Sequence, residues 1–588
     1  MDGFTCDLDA HYELRVRLTN HLRVLYPDED AALWADRLIV AFGYPAGLAR
    51  GVRHQDRWDQ GDALLITYGG SLVADRERPL VTLRRFLEAH CQGYFSGVHV
   101  LPFFPFSSDD GFSVIDYFTV DGRLGTWRDI RAIGERFRLM VDVVLNHASS
   151  ESRWFRNFVA DKSPGRSYFM TASPDDDLDA VARPRASPLL NAVETVAGTR
   201  HVWCTFSADQ VDLDFRNPWV LREFAHILGR YMGYGVGIFR LDAVAYLWKV
   251  IGTACIHLPQ THEVIRLFRT LIEFRDENAM LITETNVPQV ENLSYFGNAN
   301  EAHGVYNFSL PPLLVHALVY GTVRHLDHWL MGLPPTQLGT TYINFIASHD
   351  GIGLRPTEGM LTNEEIDHMV ETLTDFGGLV SMRSMPGGGE RPYEINISLF
   401  DALKGTARHG VDDLAVERML CAHAIMLALA GIPAVYIHSL LATRNDGDGV
   451  LQRGHNRAIN RRVLRSEWLE AELADAGSET ARVYAGIIGL LAVRREQDAF
   501  HPSAGQYALT VDDRVFAFWR RAVRARQNIF CLHNVSDETV EIHLDRVNLQ
   551  SPCRCLVTGT AVADLHGTLT LPPYGFVWLS DRVEDGTN

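Results

Sequence analysis

The chain has 588 residues, 46% of them hydrophobic and 22% charged, a composition typical of globular proteins that excludes collagen-like, coiled-coil and disordered classes. Its formal net charge of −18 creates a mean field that repels nucleic acids and anionic membrane surfaces. We therefore expect neither as a partner, and any anionic ligand needs a local basic pocket.

The first 60 residues are predicted to form an N-terminal helical extension. Apolar residues recur at spacings of three and four over 12–25 and 31–41, as on one face of a helix. The opening residues are acidic and lack the apolar stretch of a secretory signal, and the eight cysteines are scattered along the chain. We therefore expect a cytoplasmic protein with reduced thiols.

From residue 61 onward, short apolar runs alternate with longer amphipathic stretches, as expected for strands buried on both faces of a parallel sheet. Eight such runs occur, at 63–68, 97–104, 139–145, 237–242, 280–285, 304–309, 341–346 and 433–437. Eight strands separated by helices favour an α/β fold of the (β/α)8 barrel type over an open doubly wound sheet.

Two gaps, after the third and the seventh run, are too long for a loop and a helix and predict insertions. We assign the barrel to 61–148, 213–350 and 411–504, the first insertion to 149–212 and the second, with the acceptor loops, to 351–410. Alternating apolar residues predict a C-terminal all-β domain over 505–588. The uncharged segment 419–443 is long enough to span a bilayer, but its Gly431-Ile-Pro433 break predicts a buried helix followed by a strand.

Charged and polar side chains follow four of the predicted strands. Asp142, Asn146 and His147 belong to the third strand, Arg240 and Asp242 to the fourth, Glu284 to the fifth, and His349 and Asp350 to the seventh. A charge at such a position costs several kcal/mol unless it is paired or used. Because the C-terminal ends of barrel strands form one face, the convergence of these groups indicates a catalytic site.

The cleavage of a glycosidic bond with retention needs such groups. It requires two carboxyl groups about 5–5.5 Å apart, one as nucleophile and one as acid and base, and its cationic transition state benefits from further negative charge. Asp242, Glu284 and Asp350 are of the right number and type. Arg240 lies two residues before Asp242, on the same side of the strand, where it can keep that carboxylate ionised.

The blocks Asp142-Val-Val-Leu-Asn-His147, Arg240-Leu-Asp242, Glu284 and Ser348-His-Asp350 resemble, in order and spacing, the four short motifs of the α-amylase superfamily. The resemblance covers the barrel. It implies that Asp242 is the nucleophile, Glu284 the general acid/base and Asp350 the stabiliser of the transition state. It further implies that the donor sugar is bound by His147, Arg240 and His349.

Within the superfamily the chain is similar to the sucrose phosphorylase branch. The likeness lies in Leu101-Pro-Phe-Phe-Pro-Phe106, Asp109-Asp-Gly-Phe112 and the segments 252–256, 348–353 and 456–461. It implies that Asp109 and Arg457 bind the far side of a single glucosyl unit and that Phe112 lies beside it. It also implies no cofactor and no metal, with inorganic phosphate and an α-glucoside as small-molecule substrates.

The chain departs from sucrose phosphorylases where the acceptor binds. It has Glu284-Thr-Asn286 and Tyr393-Glu394 in place of Glu-Val-His and Tyr-Gln. These blocks resemble the relatives that phosphorolyse 2-O-α-glucosylglycerate, with activity on glucosylglycerol or sucrose, or an α-glucoside hydrolase or transglucosidase, as alternatives. A carboxylate or phosphate would require arginine. The candidates for binding phosphate and acceptor are Arg183, Arg185, Tyr246, Asn286, Arg391, Tyr393 and Glu394. The sequence leaves open whether the protein is a monomer or a homodimer.

Overall fold

Eight parallel strands close into a barrel at the centre of the computed structural model, which describes residues 2–45, 48, 57–385, 389–523 and 527–582. We number the barrel strands β1 to β8 in chain order, and each pairs with its sequence neighbours, β8 closing on β1. They are Leu64–Thr67, Gly97–Val100, Arg138–Val144, Val236–Asp242, Met280–Thr283, Gly304–Tyr306, Thr341–Asn344 and Ile432–Tyr436. Each lies within a predicted run or overlaps it, so the predicted (β/α)8 barrel is confirmed.

Helices surround the strands and cover their outer faces, which is why the strand residues are apolar on both sides. The main ones are Pro79–Phe86, Trp127–Gly134, Pro218–Gly233, Pro259–Glu273, Leu310–Tyr320, Arg324–Gly332, Ala415–Ala428 and Glu479–Arg495. Shorter helices lie at Gln289–Leu293, Ile437–Leu440, Gly447–Arg453 and Ser466–Ala474. The segment 419–443 was predicted to contain a buried helix followed by a strand, and helix Ala415–Ala428 followed by β8 confirms this. Within the described part of the chain, no helix is both long and apolar enough to cross a membrane.

The N-terminal extension consists of helices Asp2–Leu25 and Ala31–Phe42. They pack against the barrel helices Pro259–Glu273 and Pro218–Gly233: His21 Nδ1 lies 2.6 Å from Glu263, and the rings of Trp34 and Trp219 meet edge to face with centroids 5.0 Å apart. Several short stretches of the predicted N-terminal extension, second insertion and C-terminal domain lie outside the described residues, namely 1, 46–47, 49–56, 386–388, 524–526 and 583–588.

Both long gaps between strands contain structure of their own. The first holds helix Arg153–Val159 and strands His147–Ser149, Leu190–Thr195, Gly198–Trp203 and Gln210–Asp212. The second holds helices Asn363–Asp375 and Leu399–Ala402, the sheet strands Ile352–Gly353, Leu379–Ser384 and Glu390–Asn396, and the pair Gly405–Thr406 and Gly410–Val411. Because β3 and β7 run into these insertions, both overhang the C-terminal face of the barrel.

The C-terminal domain is all β, as predicted. Its six-stranded sheet comprises Gly505–Asp512, Val515–Arg521, Asn528–Asn534, Cys553–Cys555, Ala561–Val562 and Phe576–Ser580, and a second pair comprises Val540–His543 and Thr568–Leu571. It has an apolar core of its own around Val515, Leu532 and Leu579. The domain therefore packs beside the barrel as a separate layer.

Candidate active site

A cavity opens at the C-terminal ends of the barrel strands, where the sequence placed the catalytic groups. It is lined by Asp109, Phe112, His147, Arg185, Phe206, Gln210, Arg240, Asp242, Ala243, Ala245, Tyr246, Glu284, Thr285, Asn286, Val287, His349, Asp350, Tyr393 and Arg457. All three predicted catalytic carboxylates and all six predicted glucosyl-binding residues are in this lining.

A buried arginine is the centre of the charge arrangement. Arg240 stands opposite Asp142 in the register of β3 and β4 and forms an ion pair with it. Burial alone would raise the pKa of Asp142, but Arg240 and His99 outweigh burial and lower the pKa to about 2. Asp142 is therefore a fixed negative charge beneath the cavity that holds Arg240 in place.

Arg240 contacts the two proposed reacting carboxyl groups unequally. It donates to Asp242 Oδ1 at 2.8 Å, whereas its Nη2 lies 4.0 Å from Glu284 Oε1. Burial raises the pKa of both carboxyl groups, and the proximity of further carboxylates adds to the rise. Because a charged donor favours the ionised form of its acceptor, the negative charge belongs on Asp242 and the proton on Glu284.

The backbone after β4 positions Glu284. Ala243 adopts the left-handed conformation with φ 49° and ψ 31°, which costs an L-residue about 1–2 kcal/mol. In this conformation its amide donates to Glu284 Oε2 at 2.9 Å. A neutral amide stabilises an ionised carboxylate less than a guanidinium does, so Glu284 is held in place without losing its raised pKa.

The third carboxylate belongs to an ion-pair chain. Arg457 Nη1 lies 2.5 Å from Asp350 Oδ1, and its other nitrogens donate to both oxygens of Glu394 at 2.8 and 2.9 Å. Burial opposes ionisation of Asp350, yet Arg457 and Arg461 outweigh it and lower its pKa. Glu394 is 1% exposed and stands behind Arg457 rather than in the lining. It therefore supports Arg457 here instead of reaching the acceptor side.

Aromatic and imidazole groups form one wall of the cavity. Phe112 and His349 stack in parallel, with ring centroids 4.9 Å apart. Burial lowers the pKa of both His147 and His349, so the rings are neutral at neutral pH. The Nε2 of His147 donates to the Phe112 carbonyl at 2.9 Å. Asp109 joins this wall, 3.5 Å from Arg461.

The cavity lining also contains the acceptor candidates Arg185, Asn286, Tyr393 and Tyr246. The Arg185 guanidinium lies over the Tyr393 ring, 4.7 Å from its centroid, and Asn286 Nδ2 lies 3.4 Å from the Tyr393 hydroxyl. Among the described residues, neither the buried Nη1 of Arg185 nor the buried Oδ1 of Asn286 has a hydrogen-bond partner. Two residues of the lining thus carry one donor and one acceptor that are left without a partner.

Two predicted residues lie elsewhere. Arg183 donates to the Ser187 carbonyl and is not in the lining. Arg391 bonds Asn363 and borders a separate depression. Arg391 lies two residues before Tyr393 but not on the same face, because Ser381 pairs with Glu394 while Met382 pairs with Pro392. Tyr393 is the extra residue of a β-bulge, which reverses the alternation of side chains.

Several residues that complete the site were not predicted from the sequence. Gln210 Nε2 lies 3.3 Å from both the Phe112 carbonyl and His147 Nε2, and Phe206 lines the same wall. Arg461 donates to the His349 carbonyl at 2.8 Å. Arg461 could have been predicted, because it lies in the segment 456–461 that resembles sucrose phosphorylases. Gln210 and Phe206 lie in the first insertion, where no sequence pattern distinguishes them.

A (β/α)8 barrel with three carboxylates in one pocket at its C-terminal face defines an enzyme that acts on glycosidic bonds. Residues 94–328 match the family model described as "Alpha amylase, catalytic domain". A glucosylglycerate phosphorylase of Spirochaeta thermophila is 47% identical over 81% of each chain, and that of Escherichia coli is 39% identical over 96% of this chain and all of the other. The chain belongs to the α-amylase superfamily, in its sucrose phosphorylase branch.

Other relatives agree with this placement. The sucrose phosphorylase of Bifidobacterium adolescentis is 30% identical over 76% of this chain and 87% of its own. A glucosylglycerol phosphorylase of Marinobacter adhaerens is 28% identical over 67% of this chain and 81% of its own. The solved structure of sucrose 6F-phosphate phosphorylase from Thermoanaerobacter thermosaccharolyticum covers 87% of this chain and 98% of its own, with a TM-score of 0.71 at 23% identity. It supports the fold.

Proposed function

We propose that the protein is a retaining phosphorylase that transfers glucose from 2-O-α-glucosylglycerate to inorganic phosphate, giving α-glucose 1-phosphate and D-glycerate. The relatives that are 39–47% identical over most of the chain are named for this reaction. Activity on glucosylglycerol or sucrose, and hydrolysis or transglucosylation, are the alternatives that the experiments below distinguish.

In the first half-reaction Asp242 attacks the anomeric carbon while Glu284 protonates the departing oxygen. The bond between that carbon and the glycerate oxygen breaks, and a β-glucosyl ester forms on Asp242. Positive charge that develops on the sugar ring faces Asp350, which Arg457 keeps ionised. Phe112, His349, His147 and Asp109 enclose the glucosyl unit.

In the second half-reaction phosphate takes the place that glycerate has left. Glu284, now a carboxylate, accepts the proton of the phosphate hydroxyl as that oxygen attacks the anomeric carbon. The ester bond to Asp242 breaks and the α-configuration is restored. Both leaving group and phosphate therefore occupy one subsite in turn, between Glu284 and the Tyr393 side of the cavity.

The unpaired Nη1 of Arg185 is the observation that carries the proposal. Of the three arginines in the described lining, Arg240 is paired with Asp142 and Asp242, and Arg457 with Asp350 and Glu394. Arg185 is thus the lining cation with a donor left for a ligand. An anion next to three carboxylates in a protein of net charge −18 needs such a partner.

Glycerate fits this subsite better than a neutral acceptor. The carboxylate of glycerate and the inorganic phosphate are both anions that need a cationic hydrogen-bond donor. They occupy the subsite in successive half-reactions, so the Arg185 guanidinium can bind each in turn. The free Oδ1 of Asn286 can accept from a glycerate hydroxyl. Glycerol or fructose would leave the guanidinium unpaired whenever they occupy the subsite, and an unpaired buried charge is costly.

We also place the enzyme in the cytoplasm, acting on small molecules without nucleic acid or membrane partners, as a monomer or homodimer and without a metal in the active site. Seven of the cysteines are buried and free in the described part of the chain, which suits a reducing compartment.

The test is the reverse reaction with α-glucose 1-phosphate and a panel of glycerate, glycerol, fructose and water, measured as phosphate release. We expect glycerate to give the highest kcat/KM. Preference for glycerol or fructose would replace the glycerate assignment but keep the phosphorylase. Equal release with water alone would make the protein a hydrolase.

A further inference from the structure

Three helices outside the active site bring two imidazoles and a carboxylate together. His316 lies on helix Leu310–Tyr320, His325 on Arg324–Gly332 and Glu365 on Asn363–Asp375. One ligand atom from each residue lies within 4.8 Å of those of the other two. None of the three lines the catalytic cavity, and the reaction described above makes no use of them.

The three groups are held in this arrangement by further contacts. His325 Nε2 lies 2.8 Å from Glu365 Oε1, and Glu365 Oε2 accepts from the Thr362 amide at 2.8 Å in a helix capping box. His316 stacks on Tyr320 with ring centroids 4.6 Å apart and is buried. Outer contacts of this kind fix the orientation of metal ligands in known sites.

We propose that His316, His325 and Glu365 form a binding site for a divalent transition-metal ion of the Zn²⁺ type, with water as the fourth ligand. Two imidazoles and one carboxylate are a common protein ligand set for Zn²⁺, with bonds of about 2.0–2.2 Å. Ligand atoms around a tetrahedral ion of that size lie roughly 3.3 Å apart. The present ligand atoms lie within 4.8 Å of one another, so side-chain rotations that shift them by roughly 1.5 Å or less bring them to that spacing.

The chemistry of the donors decides between metals. Mg²⁺ and Ca²⁺ prefer oxygen ligands throughout, so two imidazoles disfavour them. Zn²⁺, Ni²⁺, Co²⁺ and Cu²⁺ all accept this set, with affinities that follow the usual order for such ions. On binding, the ion takes the place of the hydrogen atom between His325 and Glu365, and the His325 ring carries its proton on the nitrogen that does not bind the ion.

The proposed metal site lies at the interface between the second insertion and the barrel. Helix Asn363–Asp375 belongs to the second insertion, while the helices of His316 and His325 belong to the barrel. An ion bound here would connect the barrel to the second insertion, which contains Tyr393. At the same interface the Tyr320 hydroxyl lies 3.2 Å from Thr372. Metal binding is then linked to the stability of the folded chain.

The test uses the full-length protein after treatment with a chelator. Isothermal titration with Zn²⁺ should show one site per chain, and Co²⁺ should give visible d–d absorption. His316→Ala and His325→Ala should lose that site. Glu365→Gln, which keeps an acceptor for the capping box, should weaken it by more than the roughly 10–100-fold typical of losing an outer partner of a metal ligand. His328→Ala is the matched control, because His328 is exposed on the same helix as His325 and should bind as wild type.

Zn²⁺ should also raise the Tm of the wild type and the His328→Ala variant but not that of the two alanine variants at the cluster. Should those variants fail to fold, the Glu365→Gln titration decides. No stoichiometric binding by the wild type, or equal affinity in wild type and Glu365→Gln, would overturn the proposal and leave the cluster as a helix-packing contact.

Discussion

Replacing Arg185 by alanine tests whether one guanidinium serves both anions. Within the described lining, the change removes the cation whose donor is left without a partner, together with a charge stacked 4.7 Å from the Tyr393 ring. A hydrogen bond between charged groups contributes about 1.5–3 kcal/mol, which corresponds to roughly 10–150-fold in kcat/KM. We expect that loss for phosphate with glucosylglycerate as donor, and a loss of the same size for glycerate in the reverse reaction.

The assay compares each anion with a neutral acceptor. Hydrolysis of α-glucosyl fluoride needs neither anion, so the variant should hydrolyse it at nearly the wild-type rate. Arg185→Lys should recover part of the loss, because a lysine keeps the charge but not the planar fork. Arg183→Ala and Arg391→Ala are the matched controls, since both side chains lie outside the lining. A drop in fluoride hydrolysis equal to the drop in phosphorolysis would refute the anion-binding role and indicate a structural one.

Three carboxylates in and behind the site and one half-buried aspartate outside it, Asp327, allow four more tests. Asp242→Ala should fold normally and lose nearly all turnover, checked by circular dichroism and steady-state kinetics; more than a few per cent residual activity would contradict its role as nucleophile. Glu284→Gln should cripple turnover of glucosylglycerate, while glucosyl fluoride, which needs little acid help, should still form the glucosyl-enzyme, as seen by mass spectrometry of the intact protein; failure of both donors would count against the acid role. Glu394→Gln should lower kcat by about 10–150-fold for every acceptor alike, because it weakens the hold on Arg457; a change confined to the KM of one acceptor would show direct contact instead. Asp327→Asn should raise the free energy of unfolding by about 1–3 kcal/mol at pH 8.5 and hardly at pH 4.5, after allowance for solvent screening. Burial raises the pKa of Asp327 to about 7, so the wild type loses this stability as the pH rises from about 4 through 7; an equal effect at both values in urea titrations would refute the reasoning.

The barrel and the core of the site could be predicted from the sequence because burial of the strands determines which residue types they contain. Strands covered on both faces must be apolar throughout, so each appears as an uninterrupted run. A charge at the end of such a strand is costly unless it is paired or takes part in function, and this cost drew attention to a group of residues that includes Asp242, Glu284 and Asp350. The resemblance in motif spacing then supplied their roles.

The acceptor side could not be predicted residue by residue, because its geometry depends on contacts between distant segments. Arg183 and Arg185 are separated by one proline, yet only Arg185 of the two reaches the cavity lining. Arg391 was expected to bind phosphate or acceptor, but the β-bulge at Tyr393 places the two side chains on different faces of the strand. Glu394 was expected to bind an acceptor, but Arg457, 63 residues on, occupies both its oxygens.

The most direct test of the central claim is the forward reaction followed by nuclear magnetic resonance. Purified enzyme is incubated with 2-O-α-glucosylglycerate in the presence and absence of inorganic phosphate, and the products are observed by ¹H and ³¹P signals. We predict phosphate-dependent formation of α-glucose 1-phosphate, with little free glucose. Release of glucose at a rate that does not depend on phosphate, or formation of the β-anomer, would contradict a retaining phosphorylase.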